Sequence, residues 1–205
     1  MAAYEIDPAH VITDVAALRS RFEATHELAL QKVLTRLDPH ARSWIARSSF
    51  LCLGTQNADG KADVSPRGDP NGFVQVLDDQ TLAIPDRPGN NRLDSLENIL
   101  SNPRVGLLFV IPGFDETLRV NGTASLSTDP DLLAQMAVNG RVPKLAIVVR
   151  IETLFIHCAK AFRRGHMWDP AQFQDRKEMP SLVQIVLEQT TGAPSDPDVM
   201  RELDE

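Results

Sequence analysis

The stretch NPRVGLLFVIPGFDETLRVNGTA, residues 102–124, decides the fold class of this 205-residue chain. Val105 to Ile111 is a continuous apolar run of strand length, and Pro112-Gly113 predicts a turn after it. Thr117 to Ser127 predicts a second, longer strand. Because the connection between them is short, the two strands are expected to pair antiparallel.

Four shorter strands precede this pair. Phe50 to Thr55 and Lys61 to Ser65 flank Asn57-Ala58-Asp59-Gly60, whose glycine suits a hairpin turn. Phe73 to Leu77 and Thr81 to Pro85 have the length and composition of a third and a fourth strand. Neighbouring strands with short turns indicate a largely antiparallel sheet.

Helical patterns lie around the strands. Residues 93–100 carry leucine and isoleucine at helical spacing, with Asn90 or Asn91 as the expected N-cap and Asn102-Pro103 as the end. Asp129-Pro130 starts a further helix that is predicted to stop at Gly140. Leu145 to Ile156 predicts the last strand, with an interruption near Glu152.

These elements predict a mainly β protein, a small antiparallel barrel of about six or seven strands with helical additions. Residues 1–48, helical from Val11 to Ser48, are expected to form an extension packed on the barrel, and residues 49–191 to form the barrel domain. Residues 192–205 are acidic and contain two prolines, which predicts a disordered tail.

The composition limits the partners of the chain. Its formal net charge of -7 disfavours non-specific binding to nucleic acid or to an anionic membrane. No apolar run approaches the roughly 18 residues that span a bilayer. The first residues lack the basic start and apolar core of a signal peptide, and Cys52 and Cys158 fit buried thiols better than a disulfide. We therefore expect a cytoplasmic protein without nucleic-acid or membrane partners and without a metal site.

Four segments carry residues suited to binding an anionic, planar ligand. They are residues 65–70, 84–92, 117–122 and 160–168. The first and second combine arginine and serine or asparagine with glycine, and the second leads into a helix whose N-terminus attracts anions. The third alternates polar side chains along one strand face, and the fourth mixes basic and aromatic groups. Each segment taken alone also fits an ordinary turn or a solvated surface.

Taken in this order, the segments resemble the pyridoxamine 5'-phosphate oxidase-like family of FMN-binding split barrels. The run Asn102-Pro103-Arg104-Val105 before an apolar strand, followed by Val120-Asn121-Gly122 in the next strand, carries most of the resemblance. The resemblance implies an FMN held between the two protomers of a homodimer.

The resemblance also implies contacts for particular residues. Ser65 falls where the oxidases have an arginine that contacts FMN, and Arg67 is a possible replacement two positions away. Asn91 and Arg92 fall on the phosphate-binding pair of basic residues, and Thr117 falls on a glutamine near the ring. The residues expected to bind the cofactor are Val64, Ser65, Pro66, Arg67, Gly68, Ile84, Pro85, Asp86, Asn90, Asn91, Arg92, Thr117, Leu118, Arg119, Lys160, Arg163, Arg164 and Trp168.

The function expected from this resemblance is an FMN-dependent oxidoreductase that acts on a small-molecule substrate. Arg119 or Lys160 is expected near the N1 edge of the flavin, and the segment from Lys160 to Trp168 is expected to close over the flavin of the partner. No catalytic acid or base is assigned. Two alternatives remain open: a reductase that uses the deazaflavin F420 on the same barrel, and a non-catalytic flavin carrier or redox sensor.

Overall fold

A computed structural model describes residues 3–191 of the chain, so the predicted tail, residues 192–205, lies outside the described residues. The chain divides into two units, residues 1–161 and residues 162–205. Within the described part, no helix combines the length and the apolar character needed to span a membrane. The helices are α1 (Val15–Arg19), α2 (Glu27–Gln31), α3 (Pro39–Arg47), α4 (Asp94–Ser101), α5 (Pro130–Gln135), α6 (Lys160–Arg164) and α7 (Leu182–Thr191).

The first unit contains one antiparallel sheet of seven strands, which confirms the predicted mainly β split-barrel fold. Its strands are β1 (Phe50–Gln56), β2 (Ala62–Gly68), β3 (Gln75–Val76), β4 (Thr81–Pro85), β5 (Arg104–Val110), β6 (Thr117–Ser127) and β7 (Ala146–His157). Their order in the sheet is β2-β1-β5-β6-β7-β4-β3. The edge strands β2 and β3 do not pair with each other, so the sheet is not closed by hydrogen bonds.

One face of the sheet encloses the hydrophobic core. Alternate residues of each strand point to that face, because successive side chains of a strand lie on opposite sides. Leu51 and Leu53 of β1, Phe109 of β5 and Leu118 of β6 are fully buried there. From α4, Leu96 and Ile99 complete the same core. The opposite, outer face carries the half-buried side chains of these strands.

The start of α4 differs from the expectation. Neither Asn90 nor Asn91 caps the helix: the N-cap residue is Leu93, which has a left-handed backbone conformation and whose side chain makes no capping hydrogen bond. The side-chain oxygen of Asn90 instead accepts a hydrogen bond from the backbone N–H of Arg92. Asn91 also has a positive φ, so the chain turns twice before the helix begins.

The region before β1 contains three separate short helices. Residues 11–48, predicted to be helical, form α1, α2 and α3 with irregular segments between them, and α3 begins at Pro39 with Asp38 as its N-cap. The helix α1 ends at Arg19, and the hydroxyl of the next residue, Ser20, donates to the carbonyl of Ala17, a local bond that competes with helix continuation. Residues 3–33 are exposed, and contact with the core begins at Leu34 and at Ala41 and Ile45 of α3.

A β-bulge separates the two halves of β6 and β7. Arg150 lies opposite Thr123 and Ile151 opposite Gly122, but the next pair joins Thr153 to Asn121, so Glu152 is the extra residue. The interruption predicted near Glu152 is therefore a bulge within a continuous strand. A Cβ atom on Gly122 would lie 2.0 Å from the carbonyl oxygen of Arg150, which explains the glycine in the Val-x-Gly pattern.

An ion pair joins the ends of two strands that are far apart in the sheet. Arg87 follows β4 and Asp69 follows β2, and the Arg87 Nε lies 2.5 Å from the Asp69 Oδ2. Their side chains are 25% and 13% exposed. Arg87 also donates to the backbone carbonyl of Met136, just after α5, at 2.9 Å. Arg87 thus holds together the segments that follow β2, β4 and α5, on the side where the sheet is not closed by hydrogen bonds.

We predict that Gly122→Ala lowers the free energy of unfolding by about 3 kcal/mol, because the added methyl group collides with a backbone carbonyl that cannot move without breaking the strand pair. Chemical denaturation of the purified variant measures the change. Gly89→Ala is the matched control, since a Cβ at Gly89 meets no atom within 4 Å. Equal stability of the two variants would contradict the close approach at the bulge.

We also predict that Asp69→Asn destabilises the fold by about 2 kcal/mol, because it leaves the guanidinium of Arg87 largely buried without its counter-charge. The control is Asp79→Asn, which breaks the exposed pair between Arg42 and Asp79 and is expected to cost at most about 1 kcal/mol. Thermal and denaturant unfolding of both variants tests this difference, and similar losses would show that the inner pair has no special role.

Candidate functional site

Most of the first candidate segment, residues 65–70, is part of strand β2. Residues 65–68 pair with β1, Ser65 opposite Leu53 and Arg67 opposite Leu51. An edge strand tolerates Pro66, because only one side of it donates hydrogen bonds to a neighbour. The partners Leu51 and Leu53 face the core, so Ser65 and Arg67 lie on the core side, whereas Val64 and Pro66 lie on the outer side.

Ser65 belongs to a polar network between β2 and α4. Its hydroxyl lies 2.9 Å from the hydroxyl of Ser95, which donates to Asp63 Oδ2 at 2.9 Å. Thr55 contacts the same carboxylate oxygen at 3.5 Å and accepts a hydrogen bond from the amide of Asn98 at 3.0 Å. The network fixes the start of α4 against the edge of the sheet, and it places a carboxylate close to the helix N-terminus.

Arg67 provides a donor that the fold does not use. Its Nε is buried and has no hydrogen-bond partner in the described part of the chain. An unsatisfied buried N–H is costly, so such groups are rare and invite an explanation, such as a missing ligand. Gly68 follows at the end of β2, where a Cβ atom would lie 3.3 Å from the carbonyl oxygen of Ser49.

Arg92 lies two residues before α4, and its side chain already forms an ion pair. Its Nε lies 2.7 Å from Asp94 Oδ2, and both side chains are largely exposed. The hydrogen bond and charge of Asp94 raise the pKa of Arg92, with a smaller contribution from Asp63. A phosphate bound at the first turn of α4 has to compete with Asp94 for this guanidinium.

The end of β4 supplies backbone groups rather than side chains. Ile84 and Pro85 are buried, and Ile84 belongs to the hydrophobic core. The backbone N–H of Asp86 donates to the carbonyl of Leu145 at 3.0 Å. Beyond Asp86, the ion pair of Arg87 with Asp69 holds this segment beside the end of β2. The structure therefore brings together two of the four segments selected from the sequence.

The third segment lies in the middle of the sheet. Arg119 is on the outer face of β6, opposite Leu108 of β5 and Phe155 of β7. Its guanidinium carbon lies 4.3 Å from the centre of the Phe155 ring, and its Nε is buried without a hydrogen-bond partner among the described residues. Thr117 is buried opposite His157, whereas Leu118 is a fully buried core residue.

The fourth segment begins with a short helix. Lys160, Arg163 and Arg164 are exposed residues of α6. In the second unit, the ring of Trp168 packs on that of Phe162 with 5.9 Å between their centres. Cys158, expected in the core, is exposed because it follows the end of β7.

The predicted residues do not form one compact cluster. From β2 to β6 the sheet passes through β1 and β5, so Pro66 and Arg119 are three strand spacings, about 14 Å, apart on the outer face. A surface groove of about 560 Å³ in the first unit lies elsewhere, between α3 and residues 72–76. Within residues 3–191, no group of three or more His, Cys, Asp or Glu side chains is arranged to hold a metal.

Three residues near the predicted ones were not expected from the sequence: Asp63, Lys32 and Phe155. Asp63 precedes Ser65 and Arg67 at two-residue spacing, a period that places all three on one strand face and would have indicated the network. Lys32 and Phe155, which contact each other across the first unit, left no local signal because they are distant in the chain.

Part of the chain is similar to known proteins. The sequence model for pyridoxamine 5'-phosphate oxidase matches residues 37–158. Among curated proteins, no sequence matches significantly. The solved structure of HupZ from Group A Streptococcus is 20% identical, with a TM-score of 0.48, covering 58% of this chain and 93% of its own. An FMN-binding protein from Syntrophomonas wolfei is 13% identical, with a TM-score of 0.44, covering 70% of this chain and 96% of its own. The matched region exceeds half of the sequence, and the chain belongs to the pyridoxamine 5'-phosphate oxidase family.

Proposed function

We propose that the protein is an FMN-dependent oxidoreductase that acts on a small-molecule substrate as a homodimer. The observation that carries this proposal is the set of unused donors where β2 meets α4. Arg67 has a buried Nε without a partner, and no side chain caps the first turn of α4. Donors of this kind suit a phosphate, which binds at helix N-termini and to arginine.

The residues present fit the phosphate end of FMN. Arg92 and the first backbone amides of α4, with Asn90 and Asn91 in the preceding turn, are the proposed phosphate ligands, and Arg67 is the nearby replacement for the arginine lost at Ser65. The carboxylates of Asp63 and Asp94 work against an anion at this point. Their presence supports a moderate rather than a very high affinity for the phosphate.

The proposed ring site uses mainly backbone groups. Residues 64–68 and Ile84 to Asp86 are the proposed edges of the ring, with Thr117 and Leu118 further along the sheet. Bound FMN would supply hydride-transfer chemistry, which no amino-acid side chain offers. The chain contributes binding, orientation and a positive group near N1, for which Arg119 and Lys160 are the candidates.

A shared site between two protomers is supported by the spread of these residues. The distance of about 14 Å between β2 and β6 is large for one protomer to close around a ring. The outer face that separates them is rich in apolar groups: Leu108 is half-buried, Phe50 is 36% exposed and Val64 is 70% exposed. Such a face is suited to burial against a second copy. Arg163, Arg164 and Trp168 are the proposed cover of the partner's flavin.

Mass spectrometry of the ligand released from the purified protein tests the cofactor. FMN is the expected mass, and F420 or the absence of any flavin would contradict the proposal. Oxidation of NADH or NADPH by the loaded protein then tests for an enzyme, since a flavin carrier or sensor binds the cofactor without turnover.

We predict that Arg92→Ala weakens FMN binding about ten- to a hundredfold but changes riboflavin binding little, because riboflavin lacks the phosphate. Asp94→Asn is expected to have the opposite effect. It removes the carboxylate that pairs with Arg92, so FMN binding is expected to become about two- to fivefold tighter. Fluorescence titration of both ligands measures these changes. Equal weakening of FMN and riboflavin in Arg92→Ala would make Arg92 a structural residue.

We predict that light scattering at micromolar concentration gives about twice the chain mass of 22.6 kDa. Leu108→Glu, which puts a charge on the outer face, is expected to yield monomers with weakened FMN binding. Leu100→Glu is the control, because Leu100 is 75% exposed on α4, away from that face. A monomer that binds FMN with full affinity would refute the shared site.

A further inference from the structure

An aromatic ring on the outer face of β7 contacts two basic side chains. The Lys32 Nζ lies 4.7 Å from the centre of the Phe155 ring, and the Arg119 guanidinium carbon lies 4.3 Å from it. The His157 ring is next to the same phenyl ring, with 4.8 Å between centres. Three nitrogen-bearing side chains therefore converge on Phe155.

Neither charged member of this cluster has an acidic partner. Among residues 3–191, Lys32 and Arg119 form no ion pair with a carboxylate. Five other arginines of the same unit do form such pairs: Arg42, Arg87, Arg92, Arg104 and Arg150. On a chain with a net charge of -7, a cluster of cations without acids is a local exception. A bound anion near the Phe155 ring would be attracted by both cations and would offset the repulsion between them.

The groups of the cluster are held in place and still accessible. Lys32 donates to the backbone carbonyl of Ile156 at 2.9 Å, and the neighbouring Leu34 pairs with Leu154 through two backbone hydrogen bonds. Arg119 is half-buried, and its buried Nε has no hydrogen-bond partner within the described chain. His157 is also half-buried. In the single chain, the site is thus fixed by the fold on one side and accessible on the other, next to the outer face that is proposed to pair with a second copy.

The titration of His157 reflects the same positive field. Burial lowers the pKa of His157, and the charges of Arg119 and then Lys32 lower it further. At neutral pH the imidazole is therefore uncharged and offers one N–H donor. An anion bound beside it reverses the effect of the two cations, so that the pKa of His157 rises on binding.

We propose that Lys32, Arg119 and His157 form a binding site for the carboxylate or phosphate group of a small-molecule substrate. Arginine recognises both oxyanions through its fork of N–H groups, and lysine adds a point charge. This proposal rests on the proposed function in one respect, the description of the ligand as a substrate. The binding of an oxyanion at these three side chains does not depend on the proposed function. The phosphate of FMN is proposed to bind at β2 and α4 instead.

The test is a titration of the full-length protein with inorganic phosphate and with succinate, followed by the NMR signals of the His157 ring. His157→Gln assigns that signal among the five histidines. We expect saturable shifts and a rise in the pKa of His157 with either anion. Lys32→Met and Arg119→Met are each expected to weaken binding about tenfold, and Lys32→Arg and Arg119→Lys to restore most of it. Lys144→Met, an exposed lysine before the other end of β7, is the control with unchanged affinity.

The outcomes separate this inference from the proposed cofactor. Normal FMN binding without any anion effect on His157 overturns the inference and leaves the proposed function intact. Anion binding in a protein that binds no flavin supports the oxyanion site and overturns the proposed function. If FMN displaces phosphate from the cluster while riboflavin does not, the cluster is the phosphate site of the cofactor, and the substrate assignment is wrong.

Discussion

The bulge between Gly122 and Glu152 is the constraint on which the rest of the structure depends. Before it, the odd-numbered residues 147, 149 and 151 of β7 point into the core, and after it Leu154 does. One extra residue therefore exchanges the two faces of the strand, because side chains alternate with a period of two. Without it, Leu154 rather than Phe155 would face Arg119. The close approach of Gly122 to the Arg150 carbonyl makes this shift possible, and no other residue type fits there.

The bulge also marks the point where β7 changes partners. Up to Arg150 the strand lies between β6 and β4, and beyond it the free edge is met by Leu34. That contact brings Lys32 to the ring of Phe155, although the two residues are far apart in the sequence. The positive cluster is thus a consequence of sheet topology, and the net negative charge of the chain gives no indication of it.

The position of the edge strand β2 depends on polar contacts rather than on the bulge. Its hydrogen bonds reach only β1, and its position relative to β4 depends on the largely buried ion pair of Asp69 with Arg87. The network of Ser65, Ser95 and Asp63 then seats α4 beside it. Polar contacts in a low-dielectric setting are directional, so they can set the relative position of segments that the hydrophobic core alone would leave variable. The unused donors at this corner support the proposed phosphate site.

The sequence by itself determined the strands, their antiparallel order along the chain and the family, because apolar runs, turn residues and the Val120-Asn121-Gly122 pattern are local signals. It predicted an interruption near Glu152, where the structure has a bulge in a continuous strand, and it gave no indication of the consequence for the two faces of β7. The prediction of an asparagine N-cap for α4 was wrong, because the N-cap residue is Leu93 in a left-handed backbone conformation. Only the tertiary structure decided that Ser65 meets Ser95, that Arg87 meets Asp69 and that Lys32 meets Phe155. These contacts join residues that are distant along the chain, and they depend on strand register and sheet curvature, which no local pattern of residues encodes.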